Sequence, residues 1–213
     1  MTDTLFWAEF WVKLAFACFL ILAGAMFFKK GWTGEAEGGE KYFKIGIGTF
    51  AVFSSLTRIF FLITDFNVEG SDIFNLFWKL ATASSFIAMI FIELVIETYL
   101  VKSRYVFTAI SIIGTILIIV LDIPLARQLL LPVFLLIGLE LFILYLYVSI
   151  KSPGTIRRRS LLMIMGLFIF MVGILLDSTA FQGYVGGFDT GVFGALLMWG
   201  GLGLYLKLNY GTY

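Results

Sequence analysis

The chain has 213 residues, 61% hydrophobic and 14% charged, with a formal net charge of +1. Soluble domains carry about 25% charged residues, and a chain of this length cannot hide so much apolar surface in one core, so lipid must solvate it. The near-zero charge gives no global field for nucleic acid. The absence of histidine removes the usual proton switch, general base and commonest metal ligand.

Seven apolar runs reach or approach the roughly 17–25 residues a spanning helix needs; they fall at about 5–28, 45–66, 73–101, 105–121, 128–150, 160–181 and 188–208. They predict an all-α integral membrane protein, a single seven-transmembrane-helix domain with no soluble domain. The first run follows Met1 to Thr4, which offers no basic region or cleavage site, so it is expected to be retained rather than removed as a signal peptide. It contains Cys18, the lone cysteine, which cannot form an intrachain disulfide and reads as a buried small hydrophobe. The stretch from Lys29 to Lys44, with Gly31, Gly34, Gly38, Gly39 and three glutamates, reads as a mobile turn.

The second run carries Arg58. The third places Lys79, Thr82, Ala83, Phe86, Ile90, Glu93 and Glu97 on one stripe at about 100° per residue. Charges in a span face protein or water rather than lipid, so this stripe should be the seam of the bundle. The fourth run is the shortest. Pro124 breaks the chain before the fifth, which holds Pro132 in its first turns and Glu140 near its middle. Pro153-Gly154 marks a turn, followed by Arg157, Arg158 and Arg159. The sixth run ends near Asp177, Ser178 and Thr179. The seventh is rich in small residues, with Gly187 and Gly191 at GxxxG spacing continued by Ala195. These serve close packing on the sixth run or homo-oligomerisation through the seventh.

Basic residues set the orientation. Lys29, Lys30, Lys41, Lys44, Lys102, Arg104, Lys151 and Arg157 to Arg159 lie in the connections after the first, third and fifth runs. Glu69, Asp72, Asp122 and Asp189 collect on the other side, where Arg127 is the single basic loop residue. This predicts the N-terminus outside and the C-terminus cytoplasmic, in a cell (plasma) membrane. Trp7, Trp11 and Trp78 near outer ends, and Tyr99, Tyr105, Tyr147 and Tyr205 near inner ends, form the expected aromatic belts.

Each charge inside a span costs about 2.5–3.5 kcal/mol on insertion scales and needs a compensating reason. Lys13, Arg58 and Lys79 face Glu9, Asp65 and Asp177 in number, as either an outward polar cavity for a small ligand or an ion-pair network that fixes helix packing. Glu140 at mid-membrane is either neutral or paired, with Arg58 the nearest cation in depth. Glu93 and Glu97, one turn apart, lie near the level of the cytoplasmic basic residues. They read as rim ion pairs or, with Arg157 to Arg159, as contacts to a cytoplasmic partner. The arginine triplet also meets anionic headgroups.

Family signatures are missing. Retinal attachment needs a lysine well inside the seventh span, but its centre reads Leu196-Leu197-Met198-Trp199 and Lys207 lies at its edge. The acidic-Arg-Tyr and Asn-Pro-x-x-Tyr motifs of G-protein-coupled receptors are absent, as are the Pro-Gln motifs of small sugar transporters. No nucleophile elbow, zinc-binding His-Glu-x-x-His or Walker loop occurs, and Glu93 with Glu97 alone does not make a divalent-cation site. The expectation is a non-catalytic receptor or sensor-type module without cofactor or metal, which uses a separate cytoplasmic protein for output. A proton, ion or solute carrier using Arg58 and Glu140, and a structural subunit of a membrane complex, are the alternatives.

Overall fold

A computed structural model describes residues 3–33, 38–99, 104–177 and 190–211. Within them lie seven helices: α1 (Asp3–Trp32), α2 (Gly38–Asp65), α3 (Asp72–Tyr99), α4 (Val106–Val120), α5 (Ile123–Lys151), α6 (Gly154–Asp177) and α7 (Thr190–Tyr210). No strand occurs among the described residues. Five helices are long and apolar enough to cross a membrane: Trp7–Trp32, Gly38–Asp65, Asp72–Thr98, Gly154–Asp177 and Thr190–Tyr210. Val106–Val120 is a shorter apolar helix. Helices suit this composition because, in lipid, each backbone N–H and C=O must find its partner within its own segment. Large apolar side chains on the outside carry the same message: Leu22, Ile116, Ile119 and Val120 are all more than half exposed.

Element boundaries differ from the sequence expectation in instructive places. α2 begins at Gly38, where φ is +54°, so much of the glycine-rich turn is helical and Glu40 sits in the first turn, where the helix dipole favours an acid. Lys44 is therefore no loop residue: it is 1% exposed, with Nζ 3.7 Å from Glu40 and 5.8 Å from the centre of the Phe27 ring. Pro124 lies inside the first turn of α5, where a missing N–H costs nothing, while Pro132 is in the helix interior. The arginine triplet belongs to α6 rather than to a loop, with the left-handed Gly154 opening that helix. Cys18 is exposed, not buried. Gly187, Ser178, Thr179, Asp189 and Lys102 lie outside the described residues.

The chain forms two compact units, residues 17–137 and residues 1–16 with 138–213. In the first, α1 and α2 approach so closely that a Cβ on Gly24 would lie 3.0 Å from the Gly48 carbonyl oxygen. The Ser55 hydroxyl donates to the Ala17 carbonyl at 2.9 Å. α2 meets α3 where Gly46 rests on Phe91 and Val95, and the Ser85 hydroxyl donates to Thr57 at 3.2 Å. α4 opens a notch at Gly114 for the ring of Phe86, itself fully buried. The α3 stripe thus faces its neighbours as expected: Phe86, Glu93 and Glu97 are buried and Lys79, Thr82, Ala83 and Ile90 are half-buried.

In the second unit α6 and α7 pack on small residues. A Cβ on Gly173 would meet the Gly194 carbonyl oxygen at 2.7 Å, and one on Gly166 the Gly201 carbonyl oxygen at 2.8 Å. Gly194 and Gly201 of α7 are therefore covered by α6. α5 joins α7 through Tyr145 and Tyr205, whose hydroxyls are 3.0 Å apart in a buried pair, and α6 through Gly138 against Met171.

Candidate functional site

The first and last four residues of any helix carry backbone groups without an intrahelical partner. In hydrocarbon these must be satisfied by protein, and several charged side chains, Lys79, Glu97 and Arg159 among them, meet such ends.

α4 is clamped by α3. Arg104 and Tyr105, both at left-handed φ near +60°, reverse the chain between the two helices. Tyr105 is the N-cap of α4 and makes no side-chain cap bond. Glu97 substitutes for it. Its carboxylate accepts from the N–H groups of Phe107 and Thr108, both at 3.0 Å, and from the Thr108 hydroxyl at 2.5 Å. Those N–H groups are the N2 and N3 donors that a Ser or Asp N-cap would satisfy. At the other end, Lys79 Nζ donates to the Ile119 carbonyl at 3.2 Å. Acid at the positive end and base at the negative end both complement the dipole of α4. Lys79 and Glu97 are eighteen residues apart on α3, about 27 Å, against about 22 Å for the fifteen residues of α4, so one helix reaches both ends of its antiparallel neighbour.

α7 is held in a similar way. Arg159 of α6 donates to the Leu208 carbonyl and, at 3.0 Å, to that of Gly211, a cation on the C-terminal end. At the opposite end the Glu9 carboxylate lies against the first turn: a Cβ on Gly191 would be 2.6 Å from Glu9 Oε1. A side chain at 191 would require the Glu9 carboxylate to shift.

Glu9 is one part of a three-member cluster. Lys13 Nζ is 2.5 Å from Glu9 Oε1, one turn away on α1, and 3.2 Å from Asp177 Oδ1 of α6. The three side chains are 12–14% exposed. Lys13 is thus shared between α1 and α6, and Glu9 brings the same group against α7.

Lys13 and Asp177 come together, joined by Glu9. Lys79 is engaged by α4, within the unit that also holds Arg58, half-buried on α2. Glu140 is half-buried on α5 in the other unit. Glu93 is fully buried on α3, at the level where Gly46 rests on Phe91 and Val95, and so at the level of the buried Lys44. Arg157 and Arg158 are exposed. Sequence reading missed Glu9 and Gly191 as partners and did not foresee the capping by Glu97, Lys79 and Arg159. The signal available was that Tyr105, directly before Val106, is not one of the residues that cap a helix with a side-chain oxygen, which leaves α4 in need of a cap from elsewhere. No group of three metal-ligating side chains occurs among the described residues. Comparisons with protein-family models, curated proteins and solved structures find no match to this chain.

Proposed function

We propose that the chain is a non-catalytic receptor or sensor-type membrane module with seven crossings, its N-terminus outside and its C-terminus in the cytoplasm of a plasma membrane. In this reading α4 and α5 also cross. At about 22 Å, α4 is shorter than the roughly 30 Å hydrocarbon core, and caps from Glu97 and Lys79 let its ends lie within the bilayer. The lysine and arginine bias sets the direction.

The observation that carries the sensor reading is the Lys13 ammonium shared between Glu9 of α1, which lies against Gly191 of α7, and Asp177 of α6. A small cationic solute that replaces the Lys13 ammonium would change what both α6 and α7 feel. Their opposite ends, next to Arg157 to Arg159, would pass the change to a separate partner. The test uses the purified full chain in nanodiscs, titrated with soluble mono- and diamines. Emission of Trp7 and Trp11, which are exposed on α1 within two turns of the cluster, is the readout. A saturable change that Asp177→Asn removes and Lys13→Met keeps or strengthens supports the reading; no saturable change with any amine sinks it.

A second reading, a structural subunit of a membrane complex, is favoured by the commitment of Lys79, Glu97 and Arg159 to helix ends. It predicts that Asp177→Asn lowers stability without altering any response to soluble solutes.

A further inference from the structure

The contacts of Arg159 bring three helix ends together. They place the start of α6 beside the end of α7, and only Ser152 and Pro153 separate α6 from the end of α5. Lys151, Arg157, Arg158 and Lys207 are exposed at this end, in addition to Arg159, which is committed to α7. Among the described side chains of the same unit, the acids lie elsewhere: Glu9 and Asp177 toward the opposite helix ends and Glu140 three turns back along α5. No described acid of this unit neutralises the group.

Apolar side chains are exposed immediately beside these cations. Ile150 is 72% exposed, and Ile156, Leu161 and Tyr147 are about half exposed. Lys151 Nζ sits 6.0 Å from the centre of the Tyr147 ring. A soluble acidic peptide would gain little from that apolar border. A lipid matches both parts, because its phosphate meets the cations while its acyl chains run along Ile150, Ile156 and Leu161. Basic groups between helices at the headgroup level are suited to such lipids.

We infer that the joined ends of α5, α6 and α7 form a binding surface for the phosphate of an anionic lipid headgroup, with Arg157 and Arg158 as its main contacts and Lys151 and Lys207 beside them. The inference rests on the membrane-spanning reading and assigns a partner to the basic end. It does not depend on the amine response of the Glu9–Lys13–Asp177 cluster, so either can fail alone. Arg157 and Arg158 lie at adjacent positions on one turn, and two guanidinium groups present more fixed donors to phosphate than ammonium groups do.

The test is lipid retention by the full chain in detergent micelles, read by native mass spectrometry with phosphatidylglycerol and phosphatidylcholine in competition. The wild-type chain should retain phosphatidylglycerol preferentially. R157Q/R158Q should weaken that retention roughly thirty-fold, at about a factor of five for each charge, and R157K/R158K should keep most of it. K151Q/K207Q, which leaves α6 intact, should weaken it in the same direction and carries the test if the arginine variant does not fold. Inorganic phosphate at millimolar concentration should not displace the lipid. Equal retention of the two lipids by the wild-type chain overturns the inference. So does retention unchanged in the folded glutamine variants, or full displacement by free phosphate.

Discussion

Glu97 is the residue whose surroundings say most about its role. It is almost fully buried, and its carboxylate takes three donors from the start of α4. Leaving buried donors unsatisfied costs about 1–3 kcal/mol each. Glu97→Ala is therefore expected to destabilise the protein by at least ~3 kcal/mol in a denaturant titration, and Glu97→Gln, which keeps one acceptor, by clearly less. Lys79 offers a contrast: its bond to Ile119 is exposed, so Lys79→Met should cost under about 1 kcal/mol. Tyr105 is half exposed and left-handed, a conformation costing an L-residue roughly 1–2 kcal/mol. Tyr105→Gly should accordingly raise the unfolding midpoint. The sequence marked Glu97 as a charge needing a reason but could not supply the reason. A carboxylate at the inner end of a span reads the same whether it caps the next helix or meets a rim cation, since the difference lies in the backbone of the following turn.

At the scale of elements, the small residues of α6 and α7 divide by what they touch. Gly173 and Gly201 lie against backbone atoms of the facing helix, whereas a Cβ on Gly200 would meet nothing within 4 Å. Gly173→Val should push the two helices apart and cost at least ~2 kcal/mol, while Gly200→Ala should be neutral or stabilising by up to about 1 kcal/mol. Thermal unfolding of the two variants side by side checks both. Helices and their order were legible because uninterrupted apolar runs have one solution in lipid. Their ends were less so. The start of α2 at Gly38 and of α6 at Gly154 fall in polar, glycine-bearing stretches that composition assigns to turns, and only the folded backbone shows that the helix has already begun. The GxxxG spacing was visible too, but spacing alone does not say which partner covers it. In the structure Gly191 receives Glu9 and Gly194 receives α6.

For the whole molecule, the membrane reading follows from composition and is matched by five helices of sufficient length and hydropathy. The seven-crossing path predicts that tags at the two chain ends lie on opposite sides of sealed vesicles, one open to added protease and the other shielded. The ligand and the partner were not legible, because an intramembrane charge reads the same in sequence whether it binds a solute, pairs within the bundle or, as Lys79 does, meets a helix end.

The exposure of Cys18 has a practical consequence. It is the single thiol of the protein, it lies about halfway along α1, and it points away from the packed faces. A nitroxide or bimane attached there needs no background cysteines removed and serves as a built-in depth gauge. Quenching by agents that dwell among acyl chains, and indifference to those confined to water, would read out directly how deep the first helix sits.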